Sequence, residues 1–294
     1  MIELRDMRLI VALAQHRHFA RAAQASGISQ PAFSMRIRNL EEDLGVPIVL
    51  RGNRFQGFTE EGELILAWAR RLLDDARAMD EAVRSARGAI AGTLRIGAVP
   101  TTLAYAAKIP VLLSEHYPGI LVRLLSATSL EIMRAIEDGD MDAGITYADG
   151  VSPDLMDIRP LYEEQFVLVA PKALLPKGKS TATWQDAAEL PLTLLEPRMQ
   201  NRRILDQTFR QIGRVPKVVC ETNTFTTSLA LVQAGHSATI VPEVLISTFG
   251  EVPGTVVLPL TDPKLVKSIA LISVARSPSL PTVAALRRVM SADS

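Results

Sequence analysis

Apolar residues in the first part of the chain repeat with helical spacing. Near the start they lie at Leu4, Met7, Leu9, Ile10, Leu13 and Ala14. Intervals of three and four place such residues on one face of a helix. The next segment, 19–25, is rich in alanine, and its small side chains allow another element to pack closely. The pattern therefore predicts two short helices in succession.

A third helix and a small wing follow. Gly27 lies in a turn where a positive φ is expected, Ser29 is a good helix N-cap, and Pro31 falls in the first turn, where proline costs little. Gly45 marks the end of this helix. Three helices with a tight glycine turn predict a helix-turn-helix. The alternating, glycine-containing stretch 48–59 predicts a β-wing.

A long helix is predicted to begin after Thr59. Its apolar positions are Ile65, Trp68, Leu72, Ala76, Met79, Val83 and Ala86. Their mean spacing of about 3.5 residues is that of a coiled-coil seam. Such a stripe needs a partner helix, although packing against its own domain is the alternative.

Beyond Gly92 the pattern changes to strands that alternate with helices. The predicted strands are 93–97, 121–126, 143–147, 166–170, 192–195, 218–222, 239–242, 256–260 and 269–274. The predicted helices are 103–116, 130–137, 204–212, 226–234 and 281–290. This alternation is typical of α/β domains, and the region is long enough for two lobes with a cleft between them.

The predicted fold class is therefore α/β overall. An all-α winged helix-turn-helix and a long linker helix precede a two-lobed α/β domain of the periplasmic-binding-protein type. The predicted domains are 1–59 (winged helix-turn-helix), 60–91 (linker helix) and 92–294 (α/β region, with lobe I at about 92–162 and 268–294 and lobe II at about 163–267).

Composition narrows the class of protein. No run of 18 apolar residues is present and the start lacks the order of a signal peptide, so we expect a cytoplasmic protein without a membrane span. The single cysteine, Cys220, excludes an internal disulfide and a CxxC zinc site, and it is predicted to pack in a buried strand. Four scattered histidines suggest no metal site. We find no G-x-S-x-G, Walker or G-x-G-x-x-G motif, so no catalytic residue and no cofactor are predicted.

Charge is distributed unevenly although the net charge is zero. Residues 1–58 carry eight arginines against five acidic residues, while all seven lysines lie at position 108 or beyond. Arginine suits bidentate contacts to phosphate and to guanine. This bias favours double-stranded DNA as the partner of the N-terminal segment.

The start of the third helix has the chemistry of a recognition helix. Ser29, Gln30 and Ser34 are polar side chains near a helix N-terminus that can face DNA. Gln30 can pair with the N6 and N7 atoms of adenine, and Pro31 suits contact with a thymine methyl group.

A longer motif resembles a known family. The segment reads Ala20-Arg21-Ala22-Ala23, six residues, Gln30-Pro31-Ala32-Phe33-Ser34, two residues, Ile37-Arg38-Asn39-Leu40-Glu41, two residues, Leu44-Gly45. It resembles the N-terminal signature of LysR-type transcriptional regulators, and Phe58-Thr59-Glu60-Glu61-Gly62 is similar to the family's segment after the wing. The resemblance extends over the whole chain as architecture, although past residue 92 no fixed motif carries it.

The resemblance implies how DNA is bound. Gln30, Pro31 and Ser34 are then the base readers, and Arg54 in the wing contacts phosphate or the minor groove. Met35 departs from the family pattern, which leaves base preference open there. The remaining phosphate contacts are expected from Arg36 and Arg38 on the helix and from Arg51 in the wing. Coiled-coil dimers that assemble into a homotetramer and bend a pseudo-palindromic promoter are also implied.

Effector contacts are expected where strands end and helices begin in the C-terminal region. Thr101 and Thr102 form one such junction, where they either bind an anion or simply cap a helix, and Thr128 forms a second. The polar loop 196–202 supplies Arg198 or Arg202 for a carboxylate. Asn201 from this loop and Thr224 after a later strand complete the predicted set. By resemblance the effector is a small organic acid or another metabolite.

Two other classes of function compete with a ligand-gated regulator. The C-terminal region alone fits a solute-binding protein, but such proteins are usually exported and carry no DNA-binding domain. An α/β enzyme needs a catalytic constellation, and none was found. The effector, the operator and the direction of regulation do not follow from the sequence.

Overall fold

The computed structural model describes residues 2–50, 55–85, 90–154, 156–176, 178–250, 252–275 and 278–292. The chain divides into two compact units, Met1–Gly88 and Ala89–Ser294. Each unit is described by itself below.

The N-terminal unit contains the predicted helix-turn-helix. Its helices are α1 (Leu4–His16), α2 (Phe19–Ala25), α3 (Gln30–Leu44) and α4 (Glu60–Ser85). The Ser29 side chain caps α3 by accepting from the amide of Ala32. Gly27 and Gly45 have φ values of +69° and +71°, a left-handed conformation in which a Cβ would be strained. The turn residues thus fix where α2 and α3 end.

The wing is attached to the body of this unit by backbone contacts. Val49 and Phe58 form an antiparallel bridge, and one Glu41 carboxylate oxygen accepts from the amides of Ile48 (2.8 Å) and Val49 (3.2 Å). Gly62, in the first turn of α4, lies so close that an added Cβ would meet the Ile48 carbonyl oxygen at 2.0 Å. The wing base and α4 are therefore closely packed together.

Helix α4 has two apolar faces. Leu66 and Ala69 are buried in the core of the unit, together with residues of α1, α2 and α3. The outer face carries large apolar side chains that are 43–63% exposed, namely Leu64, Trp68, Leu72, Met79 and Val83. Exposure on this scale is unusual for apolar residues that follow a helical repeat.

The C-terminal unit alternates strands and helices as predicted. Its helices are α5 (Leu103–Ala106), α6 (Lys108–His116), α7 (Ser129–Glu137), α8 (Trp184–Glu189), α9 (Gln200–Gln211), α10 (Phe225–Gln233), α11 (Glu243–Phe249) and α12 (Pro281–Ala292). Its strands are β1 (Ala91–Ala98), β2 (Gly119–Ser126), β3 (Ala143–Tyr147), β4 (Met156–Pro171), β5 (Ala182–Thr183), β6 (Leu192–Leu195), β7 (Val218–Thr222), β8 (Thr239–Pro242), β9 (Thr255–Thr261) and β10 (Val266–Val274).

The long strand β4 joins the two lobes. The strands of the main sheet follow the order β2–β1–β3–β10–β4–β9–β5, and β8 also pairs with β4. Residues 156–165 of β4 pair with β10, whereas residues 166–171 pair with β8 and β9. The first half belongs to lobe I, with β1, β2, β3 and β10, and the second half belongs to lobe II. The change of partner between Gln165 and Phe166 marks the crossing.

An ion pair holds two strands of lobe I together. The Asp142 side chain is fully buried and accepts from the Arg95 amide at 2.7 Å and from the Arg95 guanidinium at 2.9 Å. Because both carboxylate oxygens have donors, the charge is compensated where it lies. Lobe I is thus cross-linked near the start of β3.

Several sequence predictions for the C-terminal unit were wrong in detail. The single helix predicted over 103–116 is divided into α5 and α6 after a 3₁₀ turn at Pro100–Thr102. β4 begins ten residues before the predicted strand at 166, α9 begins at Gln200 rather than 204, and α8 and α11 were not predicted. Polar and apolar residues mix in these segments, because β4 crosses from one environment to another and short helices carry little periodic signal.

The interpretation of Cys220 as a buried residue was also wrong. β7 forms as predicted, but it pairs with β6 and its residues alternate between half-buried and exposed, with Val219 42% exposed. Cys220 is itself half-buried. Across the described ranges, no helix is long and apolar enough to cross a membrane.

Candidate DNA interface and effector site

The N-terminal half of α3 presents a polar surface to solvent. Phe33, Ile37 and Leu40 point into the core of the unit, which turns the intervening residues outward. The exposed side chains on this surface are Ser29, Gln30, Pro31, Ser34, Met35 and Arg38. Met35 is 62% exposed, so an apolar side chain lies among the predicted base readers. An exposed helix with short polar side chains is the geometry that enters a major groove.

Arg36 differs from its neighbours because it faces α1. Its guanidinium lies 3.5 Å from carboxylate oxygens of both Glu3 and Asp6. A phosphate contact by Arg36 would therefore compete with these two acidic residues. The wing residues Arg51 and Arg54 lie outside the described residues.

Three of the predicted effector-binding threonines hold helix starts or turns. The Thr102 hydroxyl is buried and donates to the Val99 carbonyl at 3.1 Å. Thr128 forms a capping box with Glu131, whose pKa is lowered chiefly by the hydrogen bonds from Thr128. Thr224 caps α10. The Thr102 hydroxyl makes no cap hydrogen bond to α5, so the capping alternative is wrong there, whereas Thr128 and Thr224 each cap the helix that follows.

The two arginines of the loop 196–202 differ in their surroundings. Arg202 is largely buried and donates to the Leu195 carbonyl, to Asp206 and to Glu221, each at 2.8–2.9 Å. Arg198 is more than half exposed and pairs with Glu196 at 2.6 Å. Arg198 thus remains accessible at the surface, whereas Arg202 is held inside lobe II.

A groove runs between the lobes near Thr224. Its cavity volume is about 700 Å³, and its walls are mostly apolar. Pro100, Leu103 and Ser126 line it from lobe I, and Thr224 and Phe225 line it from lobe II. The predicted junctions after β1, β2 and β7 therefore meet at one place.

A cluster of buried polar side chains lies where the lobes join, and we call it the interlobe cluster. Its members are Thr101, Tyr147, Tyr162, Glu164 and Asn201. The Tyr147 hydroxyl donates to Glu164 Oε1 at 2.6 Å and lies 3.4 Å from the Thr101 hydroxyl. Thr101 and Tyr147 come from lobe I, Tyr162 and Glu164 from β4, and Asn201 from the first turn of α9 in lobe II.

Burial dominates the electrostatics of the interlobe cluster. Glu164 is only 1% exposed, and this desolvation raises the pKa of its carboxyl group to about 7, against the lowering effect of the neighbouring hydroxyl groups of Tyr147, Thr101 and Tyr162. Burial, followed by the nearby Glu164 charge, also raises the pKa of Tyr147 well above its usual range. Near pH 7 the Glu164 carboxyl group is therefore divided between its neutral and ionised forms, whereas Tyr147 is neutral.

The interlobe cluster is incompletely hydrogen-bonded. Four buried side-chain atoms among the described residues have no partner: the Tyr162 hydroxyl, Glu164 Oε2, and both Oδ1 and Nδ2 of Asn201. Tyr162 and Asn201 face the other members without completing a hydrogen bond. Buried polar atoms in folded proteins are nearly always satisfied, so four unsatisfied atoms in one place indicate a position for further polar atoms.

Two predicted residues, Thr101 and Asn201, lie in this cluster, and sequence reasoning missed the other three. Tyr147 ends a predicted strand, but its buried position follows only from the fold. Tyr162 and Glu164 precede the predicted strand at 166, in a segment for which the sequence predicted no element. An acidic residue only two positions before the apolar run Phe166–Ala170 was the available signal. In the part of the chain that the structure describes, no group of three acidic, His or Cys residues is placed to hold a metal ion.

Comparison with known proteins bears on both surfaces. Residues 4–63 match the family model described as a bacterial regulatory helix-turn-helix protein of the lysR family, and residues 87–293 match the LysR substrate binding domain. The hydrogen peroxide-inducible genes activator of Pectobacterium carotovorum subsp. carotovorum is 28% identical over 275 residues, which cover 92% of this chain and 90% of that protein.

Solved structures of full-length regulators share the fold. A full-length OxyR variant from Pseudomonas aeruginosa superposes with a TM-score of 0.77 at 24% identity and covers 99% of this chain and 95% of that one. Full-length CbnR in complex with its target DNA gives a TM-score of 0.68 at 23% identity over 100% of both chains.

These relatives are transcription regulators rather than enzymes. A solute-binding protein is not favoured either, since the N-terminal match is to a DNA-binding family. Two family models together span nearly the whole chain. The chain therefore belongs to the LysR family of ligand-responsive bacterial transcriptional regulators.

Proposed function

We propose that the protein recognises promoter DNA through the exposed face of α3. When a small effector binds between the lobes of its C-terminal unit, the protein changes the bend of the bound DNA. The observation that carries the first part is the exposure of a polar recognition surface in a winged helix-turn-helix. We further propose functional domains at 1–59, 60–91 and 92–294, with lobe I at about 92–165 and 268–294. The crossing of β4 between Gln165 and Phe166 moves the first boundary of lobe I from the predicted residue 162 to 165. Because its partner is promoter DNA, we place the protein in the cytoplasm.

In this proposal one group of residues contacts the bases of the DNA and a second group contacts its phosphates. Gln30, Pro31, Ser34 and Met35 reach base edges in the major groove, since they are exposed at the start of the helix. The positions that contact phosphate are Ser29, Arg36, Arg38, Arg51 and Arg54. Arg36 must release Glu3 and Asp6 before it can contact phosphate.

The outer face of α4 is the proposed homodimer interface. Five large apolar side chains exposed along one helix gain most by burial against a second copy of the same helix. A two-fold dimer presents two α3 helices to DNA and so requires a pseudo-palindromic site. Two such dimers form the tetramer that bends the DNA between its sites.

The effector occupies the space between the lobes in this proposal. Thr101 and Asn201 are direct contacts, supported by their place in the interlobe cluster. Thr102, Thr128 and Thr224 hold the turns and helix starts that border the cleft, and Arg198 lies at its rim. Effector binding draws the lobes together, which changes the angle between dimers only if the two arrangements bind effector with different affinity.

Ligand binding rather than disulfide formation is the proposed signal. Several relatives are named for induction by hydrogen peroxide. This chain has one cysteine, so no disulfide can form within it, and oxidation of Cys220 would lack a resolving thiol.

The test begins with selection of binding sites from random DNA by the purified protein. Affinities for the selected site and its single-base variants are then measured at several salt concentrations. We expect Gln30→Ala to lose about 1–3 kcal/mol of discrimination at one base pair. Arg38→Ala should weaken binding to all sequences and lower the salt slope by about one. Gln15→Ala, an exposed position on α1, is the matched control. No enrichment of any sequence by the folded dimer would refute the DNA-reading proposal.

A further inference from the structure

The unsatisfied atoms of the interlobe cluster specify what a ligand must offer. Glu164 Oε2 and Asn201 Oδ1 are acceptors, so they require hydrogen-bond donors. Asn201 Nδ2 is a donor, and the Tyr162 hydroxyl can also donate, so these two require an acceptor. A complementary molecule therefore carries a donor group next to an acceptor group.

The charge of the cluster narrows the donor. Glu164 is the acidic member and accepts a hydrogen bond from Tyr147. The hydroxyl groups of Tyr147, Thr101 and Tyr162 are the neighbours that affect its pKa, and none of them is cationic. The two arginines of the loop 196–202 are engaged elsewhere: Arg202 pairs with Asp206 and Glu221, and Arg198 pairs with Glu196. Burying a carboxylate costs desolvation free energy unless a cation accompanies it. A cationic ligand would lower this cost for Glu164, and an anionic ligand would raise it.

We propose that the effector of this protein carries a primary ammonium group, which donates to Glu164 Oε2 and Asn201 Oδ1, next to an oxygen acceptor that receives Asn201 Nδ2 and the Tyr162 hydroxyl. This inference rests on the proposed function, because it assumes that the effector binds between the lobes. It departs from the expectation of a simple organic acid: α-amino acids and β-amino alcohols have the required pair of groups, and organic acids without an amine do not.

The position of the cluster connects this recognition to lobe closure. Its members come from lobe I, from β4 and from lobe II, so one ammonium group contacts both lobes through Glu164 and Asn201. Because all five members are largely or fully buried at their polar atoms, the ligand enters while the lobes are apart and is enclosed when they meet. A ligand that bridges both lobes binds the closed arrangement more tightly than the open one.

The test uses the full-length protein and matched pairs of small molecules that differ only in the amine. One arm compares the proteinogenic amino acids with the corresponding 2-hydroxy acids, and the other compares amino alcohols with the corresponding diols. Calorimetric titration and the thermal midpoint of unfolding are the readouts. At least one amine is expected to bind about 100-fold more tightly than its hydroxyl partner. The arm that contains the tightest ligand identifies the acceptor as carboxylate or hydroxyl.

Two variants assign the effect to the cluster. Glu164→Gln should weaken the best amine by about 50-fold or more while leaving binding of its hydroxyl partner nearly unchanged. Glu163→Gln makes the same change at the adjacent exposed position and should bind like the parent protein. Asn201→Asp replaces the Nδ2 donor by a second carboxylate oxygen, so it should increase the preference for the amine over its hydroxyl partner while weakening the binding of both. It provides a further test if Glu164→Gln fails to fold, and an unchanged preference would contradict the inference.

Three outcomes overturn the inference: hydroxy acids or diols that bind as tightly as their amines, a folded Glu164→Gln variant that binds the amine normally, or no amine that binds at a concentration of about 10 mM. If organic acids instead bind and alter the DNA footprint, the proposed function stands and only the ammonium inference fails. If neither the panel nor the small-molecule fraction of a cell extract alters the footprint, both fail.

Discussion

The recognition surface of α3 and the interlobe cluster both collect polar side chains, but they do so in opposite environments. Ser29, Gln30 and Ser34 are exposed and can exchange water for DNA at little structural cost. Glu164 and Asn201 are buried and lack partners for three of their polar atoms. The difference shows how each partner binds. A large polyanion binds a surface that is exposed before binding, whereas a small ligand binds atoms that folding has already removed from water.

The same contrast holds for what keeps each region in shape. The N-terminal unit places its recognition surface by close backbone packing, of which Gly62 against Ile48 is the tightest example. The C-terminal unit places its cluster across a junction between two lobes, on a strand that changes partner. Steric changes should therefore dominate in the first region, and charge changes in the second.

The largest effect is expected from Gly62→Ala. The added Cβ would lie 2.0 Å from the Ile48 carbonyl oxygen, so the wing base and α4 would have to separate. We expect the N-terminal unit to lose at least about 3 kcal/mol of stability and DNA binding to disappear. Hydrogen exchange measured on both units would show faster exchange in residues 2–85 alone. Glu61→Ala, one residue earlier on the exposed face, should change stability little, and a Gly62→Ala protein with normal exchange would contradict the packing argument.

The pH dependence of stability tests the charge effect expected at the interlobe cluster. The pKa of Glu164 is raised from its ordinary value of 4.5 to about 7. Because the folded state binds this proton more tightly than the unfolded state, Glu164 contributes to the free energy of unfolding. The contribution is complete below pH 4.5 and is lost as the pH rises through about 7. The expected decrease in the free energy of unfolding between pH 4.5 and pH 7 is on the order of 3 kcal/mol, and Glu164→Gln should abolish it. Chemical denaturation at pH 5 and pH 8 measures it, and equal pH dependence in the parent and the variant would refute the assigned cause.

An intermediate effect is expected on the outer face of α4. Trp68→Ala and Leu72→Ala should each weaken self-association by about 1–2 kcal/mol, because exposed apolar area is what a second copy would bury. Sedimentation equilibrium measures the dissociation constant directly. Glu63→Ala, exposed on the same helix, is the control. Unchanged association of the double variant would move the dimer interface to another surface.

The smallest effect is expected at Arg36. Its pairs with Glu3 and Asp6 are partly exposed, and such pairs contribute under about 1 kcal/mol to stability. Arg36→Ala should therefore leave the thermal midpoint nearly unchanged, as should Arg8→Ala on α1. If Arg36→Ala nevertheless lowers the salt dependence of DNA binding, the guanidinium exchanges its acidic partners for phosphate. A large loss of stability would show that the pairs are structural.

The two regions also differ in how far the sequence predicts them. α1 to α4 and their capping residues follow from local signals, because Ser29, Gly27 and Gly45 act within one turn of their own positions. The strand and helix order of the C-terminal unit was likewise predicted in outline. The interlobe cluster was not, because Thr101, Tyr147, Glu164 and Asn201 are brought together only by the crossing of β4 between lobes. No local pattern records that an acidic residue before an apolar strand will be buried.

The threonines show the same limit on a smaller scale. Strand-to-helix junctions predicted polar side chains at Thr102, Thr128 and Thr224, but not which of their two possible roles each hydroxyl takes. A hydroxyl that caps its own helix and one that faces a ligand occupy the same position in the sequence, and only the direction of the side chain separates them. The Thr101 hydroxyl lies beside Tyr147, whereas the Thr102 hydroxyl donates to the Val99 carbonyl.

Because Gly62 packs closely on the wing base, α4 and the wing base must move together. A helix of 26 residues is about 39 Å long, and its first turn cannot tilt without moving the wing. If two copies pivot about a contact near the far end of α4, a rotation of about 5° there displaces each wing by roughly 3 Å. A displacement of that size is close to one base-pair step along the duplex axis. Small angular changes far from the DNA are thereby converted into a change of register on it.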